Sequence, residues 1–205
     1  MNLLSIVSNE NPTSIALSYL GNSTQYFFPD GKKVAETLAD NFRIMLKFLG
    51  CSLKDIDSVA VIIGPGSYTG LRVGMAFAKA IVQFTNKNLY AIDAIEVLKF
   101  KNEKMGNVSV FPVIDARGGR CFIKDNKEFF VQDLDLVKSV PAGSFIVGTG
   151  IANSDNRELT QQDILNAEDL QQYVMEHSEN LENYNSDPEK LAKLLPIYVQ
   201  EARIG

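Results

Sequence analysis

The sequence predicts an α/β protein of two lobes, each a mixed sheet with helices. Three observations carry this. Three short apolar runs separated by turn residues crowd residues 1–28, the pattern of an antiparallel meander. An uninterrupted apolar run at 59–63, Val-Ala-Val-Ile-Ile, follows a helix-period segment and precedes a glycine-rich turn and a second helix. Such runs suit strands buried on both faces of a sheet, typically parallel ones. A polar stretch at 102–107 then separates a second series of strands and helices, giving lobes at 1–100 and 101–205.

Each element follows from its pattern. Residues 3–7 form a short apolar strand, and Asn9, Asn11 and Pro12 turn the chain. Residues 14–20 alternate as a second strand, Gly21-Asn22-Ser23 is a turn, and 24–28 is a third strand. From Lys32 to Leu49 the period becomes helical: Val34, Leu38, Phe42, Met45, Leu46 and Leu49 recur at helix spacing, with charged residues between them. Gly50 is placed to end that helix. A second helix runs from the glycine turn to about Phe84, 89–92 is a strand, and 94–100 is a helix or a turn of one.

In the second half, 108–116 reads as a strand whose Pro112 implies an edge or a bulge. Residues 121–124 and 127–131 flank Asp125-Asn126, a two-residue hairpin turn. Residues 144–147 are a further strand, closed by Gly148-Thr149-Gly150. The stretch 152–187 is polar and acidic, with one helix at 167–177. Pro188 opens a last helix, a favoured place for proline, and 197–199 is an extended tail. Two α/β lobes, the first opening on a three-strand meander, fit a duplicated ribonuclease-H-like arrangement.

The most informative segment is Gly64-Pro65-Gly66-Ser67-Tyr68-Thr69-Gly70-Leu71-Arg72-Val73-Gly74. Its glycines permit positive φ and close backbone approach. Ser67 or Thr69 can cap the following helix. The helix-start N–H groups favour an anion, so Gly64 to Gly70 together with Arg72 form a candidate anion or nucleotide contact. Arg72 in the first turn opposes the helix dipole and calls for a partner. No Gly-Lys-Ser/Thr follows, so the turn is not a P-loop, and Gly70 comes one residue late for a dinucleotide fingerprint. As a tight connection alone, the same turn needs no ligand. Along the helix, Gly70, Gly74 and Ala78 recur every fourth residue, with Ala76 and Ala80 on a neighbouring line. Such a flat face admits another helix, from this chain or from a partner. With Phe77, and with Val34, Leu38, Phe42 and Met45 of the preceding helix, it is the candidate partner interface.

Composition narrows the function. The chain has 205 residues, 45% hydrophobic and 22% charged, with net charge −5. Residues 1–100 hold nine Lys/Arg against eight Asp/Glu, leaving 11 against 17 for the rest, and no basic stripe appears. Strong nucleic-acid binding by this chain alone is therefore not expected. No apolar run reaches the ~18 residues of a membrane span, and the N-terminus lacks the signature of a signal peptide. Cys51 and Cys121 match no zinc or redox spacing, and a reducing cytoplasm is the simplest setting. His177 is the single histidine, in a polar stretch that reads as surface; no metal site and no Ser-His catalysis are expected.

The segment 64–74 resembles the signature of the TsaB/YeaZ family, compact relatives of the glycoprotease-like TsaD proteins. Asp115-Ala116-Arg117, the strand end 145–150 (Phe-Ile-Val-Gly-Thr-Gly) and the ending 195–199 (Leu-Pro-Ile-Tyr-Val) resemble further motifs of that family in order and spacing. The resemblance implies an actin/sugar-kinase-like (ASKHA) fold. It implies a scaffold subunit that supports the TsaD catalytic subunit in making threonylcarbamoyladenosine 3′ of the tRNA anticodon. It also implies association with the ATPase TsaE and a homodimer through the same helix face when TsaD is absent. No cofactor is implied for this chain itself, ATP being left to the interface of the complex, and tRNA is reached only through the complex. The sequence departs from the family at Val7-Ser8-Asn9, where Asp-Thr-Ser is usual, and at Val34-Ala35-Glu36, where His-Ser-Glu is usual. TsaD's His-x-x-x-His metal motif is absent. These losses point to a pseudo-enzyme with no catalytic residues.

Two enzymatic readings compete with the scaffold. A nucleotide-dependent ATPase or phosphotransferase would use the glycine turn with Asp93 or Asp115 for magnesium. Asp93, however, follows a strand and is placed to cap a helix, while Asp115 sits at a strand-to-turn corner. A peptidase, as the glycoprotease label suggests, has no nucleophile–base pair here. Arg117 and Arg120 flank Gly118-Gly119 as solvated turn residues or a small basic spot.

Overall fold

The computed structural model describes residues 1–29, 33–106, 109–125, 128–133, 145–148 and 164–199. The first sheet holds β1 (Leu3–Val7), β2 (Thr13–Tyr19), β3 (Asn22–Phe28), β4 (Ser58–Gly64) and β5 (Asn88–Asp93) in the order β3-β2-β1-β4-β5. β1, β2 and β3 are antiparallel, whereas β4 and β5 run parallel to β1. The meander is therefore as expected, with one shift. Leu20 and Gly21 have φ of 48° and 83°, a two-residue turn with both central residues positive. This turn type matches strand twist, so Asn22 and Ser23 join β3 and close the ladder opposite Tyr19 and Ser18.

Both faces of this sheet are covered, which explains why β1 carries no polar alternation. Leu4 and Ile6 pack with α1 (Val34–Phe48) and α2 (Tyr68–Thr85). Leu3 and Val7 pack with α3 (Ala94–Lys104) and α4 (Ala167–His177). α4 comes from far along the chain. It is pinned by Ala167 N–H to Ser14 Oγ (2.9 Å) and by Gln171 Nε2 to the Leu3 carbonyl (3.3 Å). A final short helix, α5 (Pro188–Lys193), is capped by Asp187 and adds Leu191 to the core beneath α1 and α2, joined there by Leu194.

The second sheet, in the order β8-β7-β6-β9, holds β6 (Val110–Arg117), β7 (Arg120–Asp125), β8 (Glu128–Asp133) and β9 (Phe145–Gly148). Pro112 lies on β6, which has a neighbour on each side and is not an edge strand. β9 pairs with Val110 to Val113, and β7 pairs only from Ile114 onward. At Pro112 only β9 is paired, so the strand is open on its β7 side there, as at an edge. A register shift between Asp115 and Arg117 supplies the bulge. Asp125 pairs with Glu128, so the β7–β8 connection is residues 126–127, outside the described residues, as are Thr149 and Gly150.

α3 lies between the two sheets and continues to Lys104, past the residue 100 expected from its pattern. Asn102 to Lys104, the first residues of the polar stretch read as a linker, are its last turn. Lys101 binds Asp169 Oδ2 (3.0 Å) and the Ile164 carbonyl (2.8 Å), and Lys104 binds Glu176. Cations at a helix C-terminus also suit its dipole.

An ionic cluster joins the sheets. Asp93 caps α3 through Oδ1 to Glu96 N–H (2.8 Å), while its Oδ2 meets Lys124 Nζ of β7 at 2.6 Å. Lys124 also binds Glu96, which accepts from Tyr173 OH of α4 (3.2 Å). Burial pushes the Asp93 carboxyl up to about 6, although the Lys124 hydrogen bond pulls the other way. Burial raises Glu96 too, but Lys124 outweighs that and holds it below its usual value. For Asp93 the sign is clear. The folded protein keeps a proton that the unfolded chain releases between about pH 4 and pH 6, so this group's contribution to stability falls as pH rises through that window. Asp93→Asn keeps a capping acceptor and removes the titration. Unfolding free energies from denaturant titrations between pH 4 and pH 8 are expected to lose a decline of about 2 kcal/mol in this variant. A variant curve parallel to wild type would contradict the assignment.

Candidate functional site

The glycine turn connects β4 to α2, as its sequence suggests, and Ser67 caps the helix by accepting from Gly70 N–H (3.3 Å). What the turn holds is the chain itself. Ser67 N–H donates to the Asn9 carbonyl (2.7 Å), and Asn9 Nδ2 donates to the Pro65 carbonyl (3.3 Å). A Cβ on Gly66, whose φ is 147°, would lie 2.4 Å from the Asn9 carbonyl oxygen. On Gly70 it would lie 1.9 Å from the Ser8 carbonyl oxygen, and on Gly74 2.2 Å from Ser8 Oγ. Gly64 makes room for the C-terminal tail: its Cβ would be 2.9 Å from the Ile197 carbonyl oxygen, and Ile197 N–H donates to the Ile63 carbonyl (2.7 Å).

The space beside Gly64, Gly66 and Gly70 is filled by carbonyl oxygens of the chain itself, and that beside Gly74 by the Ser8 hydroxyl. Val7 at the end of β1 is fully buried and offers no metal-ligating atom. Among the described residues no group of three His, Cys, Asp or Glu side chains could hold a metal ion. A cavity of about 730 Å³ does open between the lobes beside the turn, lined by Ser8, Asn9, Ser67, Tyr68, Asp115 and Arg117 among others. Asp115 also ties its own corner, accepting from Arg117 N–H (2.7 Å).

Arg72 forms no ion pair among the described residues. Its guanidinium lies over the Tyr68 ring, 5.3 Å from the centroid, and Nη1 donates to Tyr68 OH (3.2 Å). Tyr68 packs against Tyr198 of the tail with centroids 5.1 Å apart. Thr69 is exposed. His177 belongs to a half-buried aromatic group, stacked on Tyr173 at 4.5 Å and edge-on to Phe100. Burial pushes the Cys121 thiol up to about 11, which makes it a poor nucleophile.

The expected partner face needs correcting. Val34, Leu38, Phe42 and Met45 are buried in the core of this chain, and Gly70, Gly74 and Ala78 are the seam along which α2 meets the first sheet. Phe77 is half-buried, edge-on to Phe42 at 5.8 Å. Facing outward instead are Ile44 (61% exposed) and Phe48 (76%) on α1, and Ala76, Ala80 and Phe84 (90%) at four-residue spacing on α2. The pattern carried a signal for these residues: they are apolar, at helix spacing, and off the core stripe.

A family model described as tRNA N6-adenosine threonylcarbamoyltransferase (TsaD) matches residues 31–145. The transferase of that name from Ehrlichia ruminantium (strain Gardel) is 37% identical over 73 residues, 35% of this chain and 21% of that protein. The tRNA threonylcarbamoyladenosine biosynthesis protein TsaB of Bacillus subtilis (strain 168) is 30% identical over 69 residues, 34% of this chain and 30% of that protein. The matched stretch thus spans about a fifth of the length of the Ehrlichia transferase. In structure, YeaZ from Pseudomonas aeruginosa superposes with a TM-score of 0.72 at 18% identity, covering 97% of this chain and 99% of that one. A protein described as similar to peptidase YeaZ, from the same organism, gives 0.75 at 18% identity over the same shares. These solved structures carry the fold, a two-lobed α/β arrangement of the ASKHA kind. By its family model and this architecture, the chain belongs to the threonylcarbamoyltransferase (TsaD) family and is of the TsaB/YeaZ type.

Proposed function

We propose that this chain is a non-catalytic scaffold subunit of the machinery that makes threonylcarbamoyladenosine in tRNA, docking on a TsaD-like catalytic subunit through the outer face of α1 and α2. The observation that carries this reading is the apolar outer face itself. Phe84 and Phe48 stand almost free of the chain's own core, with Ile44 on the same helix as Phe48. Large apolar side chains clustered on one surface mark a partner site, and buried aromatic anchors dominate such interfaces. Two further features support it. The glycine turn is filled by Ser8 and Asn9 of this chain, and Val7 supplies no metal ligand. In this reading a TsaE-like ATPase joins the same assembly, ATP binds where subunits meet, and tRNA is engaged only by the whole complex. Without its partner the chain self-associates through the same helix face.

Reconstitution tests the proposal. A TsaD-like subunit, a TsaE-like ATPase, threonylcarbamoyl donor and tRNA are assayed for modified adenosine with and without this chain. Modification is expected only when the chain is present, unchanged with Ser67→Ala, and reduced at least ~100-fold with Phe84→Asp at limiting protein. Modification that is independent of the chain, or abolished by Ser67→Ala alone, would favour the enzymatic reading of the glycine turn.

A further inference from the structure

β3 is an edge strand, and its outer side is a second candidate surface, distinct from the helix face. The register across β2 and β3 runs unbroken from Thr13–Phe28 to Tyr19–Asn22. A two-residue turn makes Tyr19 and Asn22 a hydrogen-bonded pair, and bonded and non-bonded pairs then alternate along the ladder. Asn22, Thr24, Tyr26 and Phe28 therefore spend their backbone groups on β2. Ser23, Gln25 and Phe27 direct their N–H and C=O groups outward, and among the described residues no backbone group meets them. Natural edges are normally blunted by lysine, proline or a bulge. This one has none: its seven residues, Asn-Ser-Thr-Gln-Tyr-Phe-Phe, carry no charge, and Tyr26 and Phe27 are 38% and 46% exposed.

We infer that the outer edge of β3 pairs with the β3 edge of a second copy of this chain, antiparallel and centred on Gln25. The strand is self-complementary about that residue. Ser23 opposes Phe27 of the copy, Thr24 opposes Tyr26, and Gln25 opposes its own equivalent, so no like charges meet and every outward group on both strands finds a mate. A heterologous strand would have to match the same uncharged pattern, whereas a second copy matches it by symmetry. Seven residues span only about 24 Å, so the contact buries less than the roughly 1,200 Å² of stable complexes. Association is accordingly weak and concentration-dependent.

Residue-resolved amide exchange on the full chain, with sedimentation in parallel, tests this between ~10 μM and ~1 mM. Protection of the Ser23, Gln25 and Phe27 amides is expected to rise at least ~10-fold with concentration, while Asn22, Thr24 and Tyr26 stay protected throughout. Gln25→Pro removes an outward N–H that β2 does not use, and Phe27→Lys leaves the backbone intact; both should remain folded by thermal melting and lose the concentration-dependent protection of the outward amides. Gln25→Lys and Gln25→Glu should each lack that protection alone and regain it when mixed, because like charges directly opposite repel and unlike ones attract. A monomer at every concentration overturns the inference. So does association that leaves these three amides unchanged and is lost in Phe48→Asp, which would place the dimer on the helix face.

Discussion

Gly70→Ala is expected to cost about 3–5 kcal/mol of stability, a fall in melting temperature on the order of 10 °C. The reason is spatial. A Cβ at this position would sit 1.9 Å from the Ser8 carbonyl oxygen, a backbone atom in a fully buried strand end. No flexible side chain can swing aside, so either α2 lifts from β1 or the strand end shifts. Gly50→Ala separates this from an ordinary glycine effect. Gly50 has φ of 66° at the end of α1, and a Cβ there would meet nothing within 4 Å, so its loss should cost only about 1 kcal/mol. Chemical denaturation of both variants gives the comparison. Equal costs would mean that α2 does not press on β1 as described.

Lys124→Met should produce the second large effect, about 3 kcal/mol, because it leaves two carboxylates without their cation. Lys124 and Asp93 are 18% and 9% exposed, and the pair bridges the two sheets. The loss is expected to be recovered in good part by Asp93→Asn in the same chain, since the neutral side chain still caps α3. Double-mutant melts at pH 7.5 measure that recovery. Additive losses would show that Lys124 stabilises by packing on Phe129, whose ring centroid lies 5.5 Å from its ammonium, and not by charge.

Much of the fold was legible because its signals are local. β1 and α4 fall at Leu3–Val7 and Ala167–His177 as their patterns indicate; Ser67, Asp93 and Pro188 mark helix starts by the chemistry of their side chains, and Gly50 marks a helix end by its positive φ. What was not legible depends on long-range contacts. Nothing in the spacing of α4 says that it returns to β1 and β2, where Ser14 and the Leu3 carbonyl receive it. α2 carries two lines of small residues, Gly70–Gly74–Ala78 and Ala76–Ala80, and period alone does not say which faces inward. Ser8 decides it: its carbonyl and hydroxyl occupy the space beside Gly70 and Gly74, which sends Ala76, Ala80 and Phe84 outward. Glycines that read as room for a phosphate prove to be room for Ser8 and Asn9, because a sequence records the need for space and not what fills it.

The most direct test of the scaffold role is a calorimetric titration of the TsaD-like subunit from the same organism into this chain, wild type against Phe48→Asp and Phe84→Asp. A scaffold docking through this face predicts saturable binding by the wild type and at least ~100-fold weaker binding by the Phe84 variant, with melting temperatures unchanged because these side chains stand outside the core. Binding that is absent from the wild type, or equally tight in both variants, would contradict it.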